Sequence, residues 1–211
     1  MEFDWKISYD IYSHDGPAFA CRTRFIQEDR HMSKYLVVID MQKDFIDGVL
    51  GTKEARELAP RLIEKVKNFQ GPVMFTRDTH DEDYLQTQEG TRLPVLHCVR
   101  DTDGWQLLQE LADYAQEKHS LIFDKGTFGS ANLAGCLSGI DRVVHIDEVE
   151  LIGVCTDLCV ISNAMMLKAA LPETRITVNA SLCAGSDPHK HDIALEAMKA
   201  CQIDIIDDKE Q

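Results

Sequence analysis

Two cysteines, Cys155 and Cys159, lie in the segment GVCTDLCV (residues 153–160), where an apolar β-branched run gives way to helical spacing. A thiol in the first turn of a helix feels the positive end of the helix dipole, and its thiolate is the reactive form. Both cysteines are therefore candidate nucleophiles. Position favours Cys159, which falls in the first turn with Thr156 or Asp157 available as a cap; Cys155 ends the preceding strand and offers chiefly its backbone. A lone free cysteine is by default a small buried hydrophobe, so the argument for chemistry rests on its company. Asp40 ends one apolar run and Lys125 follows another. Together they supply a proton acceptor and a cation, which can activate a thiol.

A second constellation lies in the stretch RDTHDEDYLQTQEGTRLPVLHC, residues 77–98, which carries Asp78 and His80 as an Asp-x-His pair, then Glu89, then His97. A carboxylate and two imidazoles form a divalent-cation set suited to zinc, iron or manganese; the alternative is a solvated polar loop. His189 and His191 beside Asp187 are similar in type but fall at a helix start opened by Pro188, and they read as a solvated cap. Cys98, Cys136, Cys183 and Cys201 read as packed thiols, and the acidic tail from Asp204 to Gln211 as a frayed terminus.

These residues need elements to hold them. Strands are expected at residues 35–40 (YLVVID), 73–77, 120–124, 148–154, 175–179 and 203–206, because each is a short apolar run rich in β-branched residues. Helices are expected at residues 52–69, through the spacing of Ala55, Leu58, Leu62 and Val66, and at 105–117, 130–137, 157–171 and 188–201. A loop of about twenty-five residues without clear periodicity follows the second strand. Regular alternation of this kind implies an α/β three-layer sandwich, with a mostly parallel six-stranded sheet and helices on both faces. In such sheets ligands sit beyond the carboxyl ends of the strands, so Asp40, Asp78, His80, Lys125 and Cys159 are expected on one rim.

The chain has 211 residues, enough for one domain. Residues 1–31 do not join the pattern, and Met32 lies just ahead of the first strand. They are read as an N-terminal extension, either an upstream segment or one foreign to the native protein, the alternative being an arm packed on a neighbouring subunit; residues 32–211 form the domain. A net charge of −14 with dispersed lysines and arginines argues against nucleic acid and anionic membrane surfaces. Seven cysteines without paired spacing give neither a disulfide framework nor a structural zinc site. No signal-peptide pattern or long apolar run is present, so a cytoplasmic protein with a small-molecule partner is expected.

Three segments, VIDMQKDF (residues 38–45), FDKGTFGS (residues 123–130) and GVCTDLCV, resemble in order and relative position the motifs of the isochorismatase-like cysteine hydrolases, especially the nicotinamidases. The resemblance covers residue 33 onward. It implies a homo-oligomeric amidohydrolase with Asp40, Lys125 and Cys159 as the triad, a thioester on Cys159, and an oxyanion hole from the backbone N–H groups of Cys155 and Cys159. It also implies a cis peptide bond before Cys155, a metal on Asp78, His80 and His97 that holds a pyridine nitrogen, and substrate contacts from Phe45 and Gln42. Two departures touch the substrate wall: Thr79 stands where many nicotinamidases have an aromatic residue, and two residues separate Pro94 from His97. Hydrolysis of nicotinamide is the leading expectation. Another small amide or carbamoyl compound on the same triad is the alternative, and a non-catalytic metabolite binder a third reading.

Overall fold

A computed structural model describes residues 33–207; the expectations for residues 1–31 and for the end of the acidic tail lie outside the described residues. The chain starts on β1 (Lys34–Ile39), in which Leu36 and Val38 face one core while Val37 and Ile39 face the other. A strand buried on both faces has no polar side, and this is what a central parallel strand requires. After α1 (Lys43–Ile46) comes α2 (Lys53–Asn68), capped by Thr52, whose hydroxyl accepts from Ala55 N. Its buried face is Ala55, Leu58, Ala59, Leu62 and Val66.

β2 (Val73–Asp78) leads into the long connection, which is not structureless. It holds a single 3-10 turn (Tyr84–Gln86) and a short α3 (Gln88–Arg92). The next helix, α4 (Gln109–Glu117), starts later than its periodicity suggests. Trp105 and Gln106 instead close a turn through Gln106 N to Asp103 O, and Leu107 bridges Gln42 in the loop after β1, with Lys43 N bonded to Gln106 O, Leu108 N to Met41 O, and Trp105 buried. Then follow β3 (Ile122–Lys125), α5 (Ala131–Asp141), β4 (Glu148–Val154), a π-helical turn (Thr156–Val160), α6 (Ile161–Ala170), β5 (Arg175–Ala184), α7 (Pro188–Ala200) and β6 (Asp204–Ile206). β5 runs five residues past its expected end because Cys183 and Ala184 resume pairing with Gly153 and Val154 after a register shift. The tail is not frayed from Asp204, since Asp204 to Ile206 pair with β5.

The sheet has six strands in the order β3-β2-β1-β4-β5-β6, all parallel. One core packs α1, α2 and α4 on one face; the other packs α5, α6 and α7 on the opposite face. The chain moves outward from β1 to β3, then returns to place β4 on the other side of β1. Connections from β1 and β4 therefore diverge, so their carboxyl ends form the topological switch point, where ligands of such sheets bind. No helix among the described residues is long and apolar enough to cross a membrane.

α5 continues past residue 137 to Asp141 and holds two glycines, Gly135 and Gly139. A Cβ at either would meet nothing within 4 Å. Gly135→Ala and Gly139→Ala should each stabilise the fold by about 0.5–1 kcal/mol, since alanine loses less backbone entropy in a helix. Urea unfolding of the two variants checks this; a fall in midpoint for both would mean that α5 needs its glycines.

Candidate active site

Asp40 is the first residue past β1, with φ of 47°, a conformation that aspartate tolerates better than most side chains. Its N–H donates to Thr76 Oγ1 (3.2 Å), and the Thr76 hydroxyl donates to Asp40 Oδ1 (2.6 Å). Gln42 locks the same corner: its Oε1 accepts from Asp78 N (2.7 Å), and its Nε2 donates to Asp78 O and Trp105 O (both 2.8 Å). Fully buried and spent on backbone, Gln42 does not face a substrate as expected; it fixes the ends of β1 and β2.

β3 pairs with β2 so that Lys125 stands opposite Asp78. Lys125 Nζ lies 2.6 Å from Asp40 Oδ2, 3.4 Å from Asp78 Oδ1 and 3.4 Å from Cys159 Sγ. Asp40 Oδ2 has this ionic contact and no further donor of ordinary hydrogen-bond geometry. On the far side, Gly153 has φ of +123° and lies so close to β1 that a Cβ would come 2.1 Å from Ile39 O, so only glycine lets β4 end beside Asp40. The Val154–Cys155 peptide bond is cis.

Cys155 and Cys159 part company here. The Cys155 side chain packs against the core under α2, and burial pushes its thiol up to about 12. Cys159, 4% exposed, lies in the π-helical turn within reach of Lys125. Neither Thr156 nor Asp157 caps this turn. The Thr156 hydroxyl hydrogen-bonds His191 Nδ1 (2.8 Å), and the Asp157 carboxylate accepts from Ser186 N and Ser186 Oγ (both 2.7 Å). His191 is thus half-buried against the nucleophile turn rather than part of a solvated cap; Asp187 alone caps α7, through Lys190 N, while His189 is exposed. Of the other cysteines, Cys98 and Cys183 are buried, Cys136 is half-buried, and Cys201 is exposed rather than packed.

Electrostatics revise the resting state expected from the helix dipole. Burial, then the Asp40 charge, hold the Cys159 thiol well above its ordinary value, with Lys125 pulling the other way. Burial likewise raises Asp40 against the pull of Lys125. Burial alone would lower the Lys125 ammonium, but the charges of Asp40, of Cys159 when ionised, and of Asp78 outweigh it and hold it high. The arrangement sets a thiol, a carboxylate and an ammonium in one buried group, where burial favours the neutral forms of the thiol and the carboxyl and Lys125 favours their charged forms.

Next to this group, Asp78 Oδ2 lies 3.0 Å from His80 Nε2 and 3.5 Å from His97 Nε2, with Glu89 Oε1 3.8 Å from His80. One ligand atom from each of the four residues lies within 4.8 Å of all the others. His97 Nδ1 donates to Val95 O (2.8 Å), which leaves Nε2 on the side of Asp78, where it donates when protonated and can ligate a metal when it is not. Burial would raise Asp78, but hydrogen bonds from His80 and His97 and the charge of Lys125 hold it below the usual carboxylate range, ready to ligate. The donor set therefore fits a divalent ion. Phe45 packs edge-on to His97 with ring centroids 5.7 Å apart. Thr79 accepts from Trp105 Nε1 (2.8 Å), and Arg77 stacks on the same indole. Sequence reasoning missed Thr76 and Asn163 and read His191 as a solvated cap; the available signal for Asn163 was an amide inside a mostly apolar helix.

Residues 34–210 match the isochorismatase domain, and the chain belongs to that family. It is 26% identical over 215 residues to the nicotinamidase of Saccharomyces cerevisiae, an alignment covering 82% of this chain and 99% of the relative. Among solved structures, it is similar to the nicotinamidase/pyrazinamidase of Bacillus subtilis, with 26% identity, a TM-score of 0.69, and 83% and 100% of the two chains covered. It is also similar to the pyrazinamidase of Pyrococcus horikoshii in complex with zinc, with 25% identity, a TM-score of 0.66, and 83% and 99% covered.

Proposed function

We propose that this protein is a nicotinamidase, converting nicotinamide and water to nicotinate and ammonia through a thioester on Cys159. The observation that carries the reading is Lys125 Nζ set between Asp40, Cys159 and Asp78, which joins a thiol, a base and a metal-type cluster in one buried site. Asp40 takes the thiol proton as Cys159 attacks the amide carbon, and Lys125 offsets the charge that develops on sulfur. Leu158 and Val160 both spend their N–H groups on Cys155 O (3.1 and 3.0 Å), with the Cys159 N–H between them. That group and the Cys155 N–H are assigned to the oxyanion, because donors in the first helical turn precede any partner within the helix. Asp40 then protonates departing ammonia and, as a carboxylate again, activates the water that cleaves the thioester; acid and base roles reverse between the two halves.

Asp78, His80 and His97, with Glu89 beside them, would hold a divalent ion, zinc first, as in the complex of the Pyrococcus relative. An ion held there would supply a Lewis acid for a ring nitrogen and so orient a pyridine carboxamide. Phe45, against His97, is assigned as the wall beside the ring.

Ammonia release from nicotinamide, compared with a panel of aliphatic amides, tests the substrate. Faster turnover of a non-pyridine amide would transfer the assignment to that class. His97→Ala tests the metal independently, because His97 does not touch Lys125. Its bound transition metal should fall by at least about tenfold relative to wild type, as expected when one ligand is lost. Equal metal content in the two proteins would remove His97 from the ligand set.

A further inference from the structure

A buried side-chain amide is accommodated only when its hydrogen bonds are met. Of the buried residues of α6, Asn163, Ala164 and Leu167, only Asn163 is polar, and it is 1% exposed. Its Nδ2 donates to Cys159 O, one turn earlier (2.8 Å), and to Phe128 O (3.1 Å), while its Oδ1 accepts from Ser130 N (2.9 Å). Phe128 and Ser130 belong to the loop that leaves β3 at Lys125. Gly129 between them is seated so tightly on α6 that a Cβ there would come 2.3 Å from Met166 Sδ. Ser130 uses its hydroxyl to cap α5 at Leu133 N, so its own N–H depends on Asn163.

We infer that Asn163 is a positioning residue, which ties the loop after Lys125 directly to the Cys159 turn and so sets the Lys125 Nζ to Cys159 Sγ separation of 3.4 Å. The inference rests on the proposed roles of Lys125 and Cys159. Its physical basis is topological. Lys125 ends β3 and Cys159 follows β4, with β2 and β1 between them in the sheet. Small errors in twist across those strands would accumulate between cation and thiol. The amide bypasses the sheet with one rigid link, and displacement by about 1 Å in such a site can cost about 100-fold in rate.

Two variants test this. Asn163→Ala removes all three bonds in a residue type that helices favour. Asn163→Asp keeps an acceptor for Ser130 N but turns a carboxylate toward two carbonyl oxygens. Both should lower kcat on nicotinamide by about 10- to 100-fold while KM changes by less than about threefold. The exposed Asn132→Ala serves as control and should match wild type. A second readout needs no substrate: the ratio of Cys159 alkylation rates by iodoacetate and iodoacetamide. Thiol access and thiolate fraction cancel in that ratio, leaving the local positive charge. It should fall at least about threefold as Lys125 moves off the sulfur. Unchanged kcat and an unchanged ratio in Asn163→Ala would overturn the inference, as would lower thermal stability alone. Should Asn163→Ala not fold, Asn163→Thr replaces it: its hydroxyl can still bond Cys159 O but cannot bridge to the loop, and the same losses are expected. If wild-type protein releases no ammonia from nicotinamide, the proposed activity fails while the alkylation ratio still decides the role of Asn163.

Discussion

Cys159→Ala should abolish turnover, by at least about 10⁴-fold in kcat, while Cys155→Ala keeps most of the wild-type rate. The two thiols lie four residues apart, yet only Cys159 is within reach of Lys125, whereas the Cys155 side chain is packed against the core under α2. Removing the attacking sulfur leaves Asp40, Lys125 and the backbone donors with nothing to activate. At Cys155 only the backbone N–H is asked to work, and alanine preserves it. Alanine at Cys155 also leaves a small void, costing stability rather than chemistry. Single-turnover assays with mass spectrometry of the acyl-enzyme separate the two: an adduct should form on Cys155→Ala and none on Cys159→Ala. Equal loss of activity in two folded variants would refute the assignment.

Lys125→Met is expected to lose nearly all amidase activity, about 10³-fold or more, while remaining folded. Methionine keeps the apolar stem but not the charge. Leaving Asp40 ionised and unpaired in a buried site would cost about 3–5 kcal/mol, so at neutral pH Asp40 takes up a proton and the base is lost with the cation; in the alkaline range where Cys159 titrates, Asp40 ionises first and still raises the thiol. The sign for the thiol follows from the same contacts. Lys125 is the group that lowers the Cys159 pKa against burial and Asp40, so its removal moves the pKa further up. Each tenfold loss of thiolate corresponds to about 1.4 kcal/mol of lost stabilisation. Alkylation of Cys159 by iodoacetamide should therefore follow a pH curve displaced to higher pH. Lys168→Met is the control, since Lys168 is bonded to Pro172 O on α6 and away from the triad residues. Wild-type turnover and an unshifted curve in Lys125→Met would reduce Lys125 to a structural lysine.

Much of this arrangement was legible before any coordinates. β1 reads directly from YLVVID because a strand buried on both faces must be apolar at every position. α2 reads from its spacing because one helical face is repeated every three to four residues. Parallel order then follows, since each crossover needs a helix, and parallel order puts the strand ends carrying Asp40, Asp78, Lys125 and Cys159 on one rim. The elements that misread are those whose conformation is set by partners distant in sequence. Residues 105–108 have helical spacing but are drawn into a turn and a bridge against the loop after β1, and β5 is prolonged by pairing with the end of β4.

The sequence by itself determined the fold class, the alternation of elements and the residue types gathered at the rim, because periodicity and turn chemistry are local properties of the chain. Tertiary structure alone decided which thiol meets Lys125, that burial raises the Cys159 thiol, and that Gln42 ties the ends of β1 and β2 together. It also brought in Thr76, Asn163 and His191. Distances across a sheet and the desolvation of a charge depend on every element packed around them, and no window of neighbouring residues contains that information.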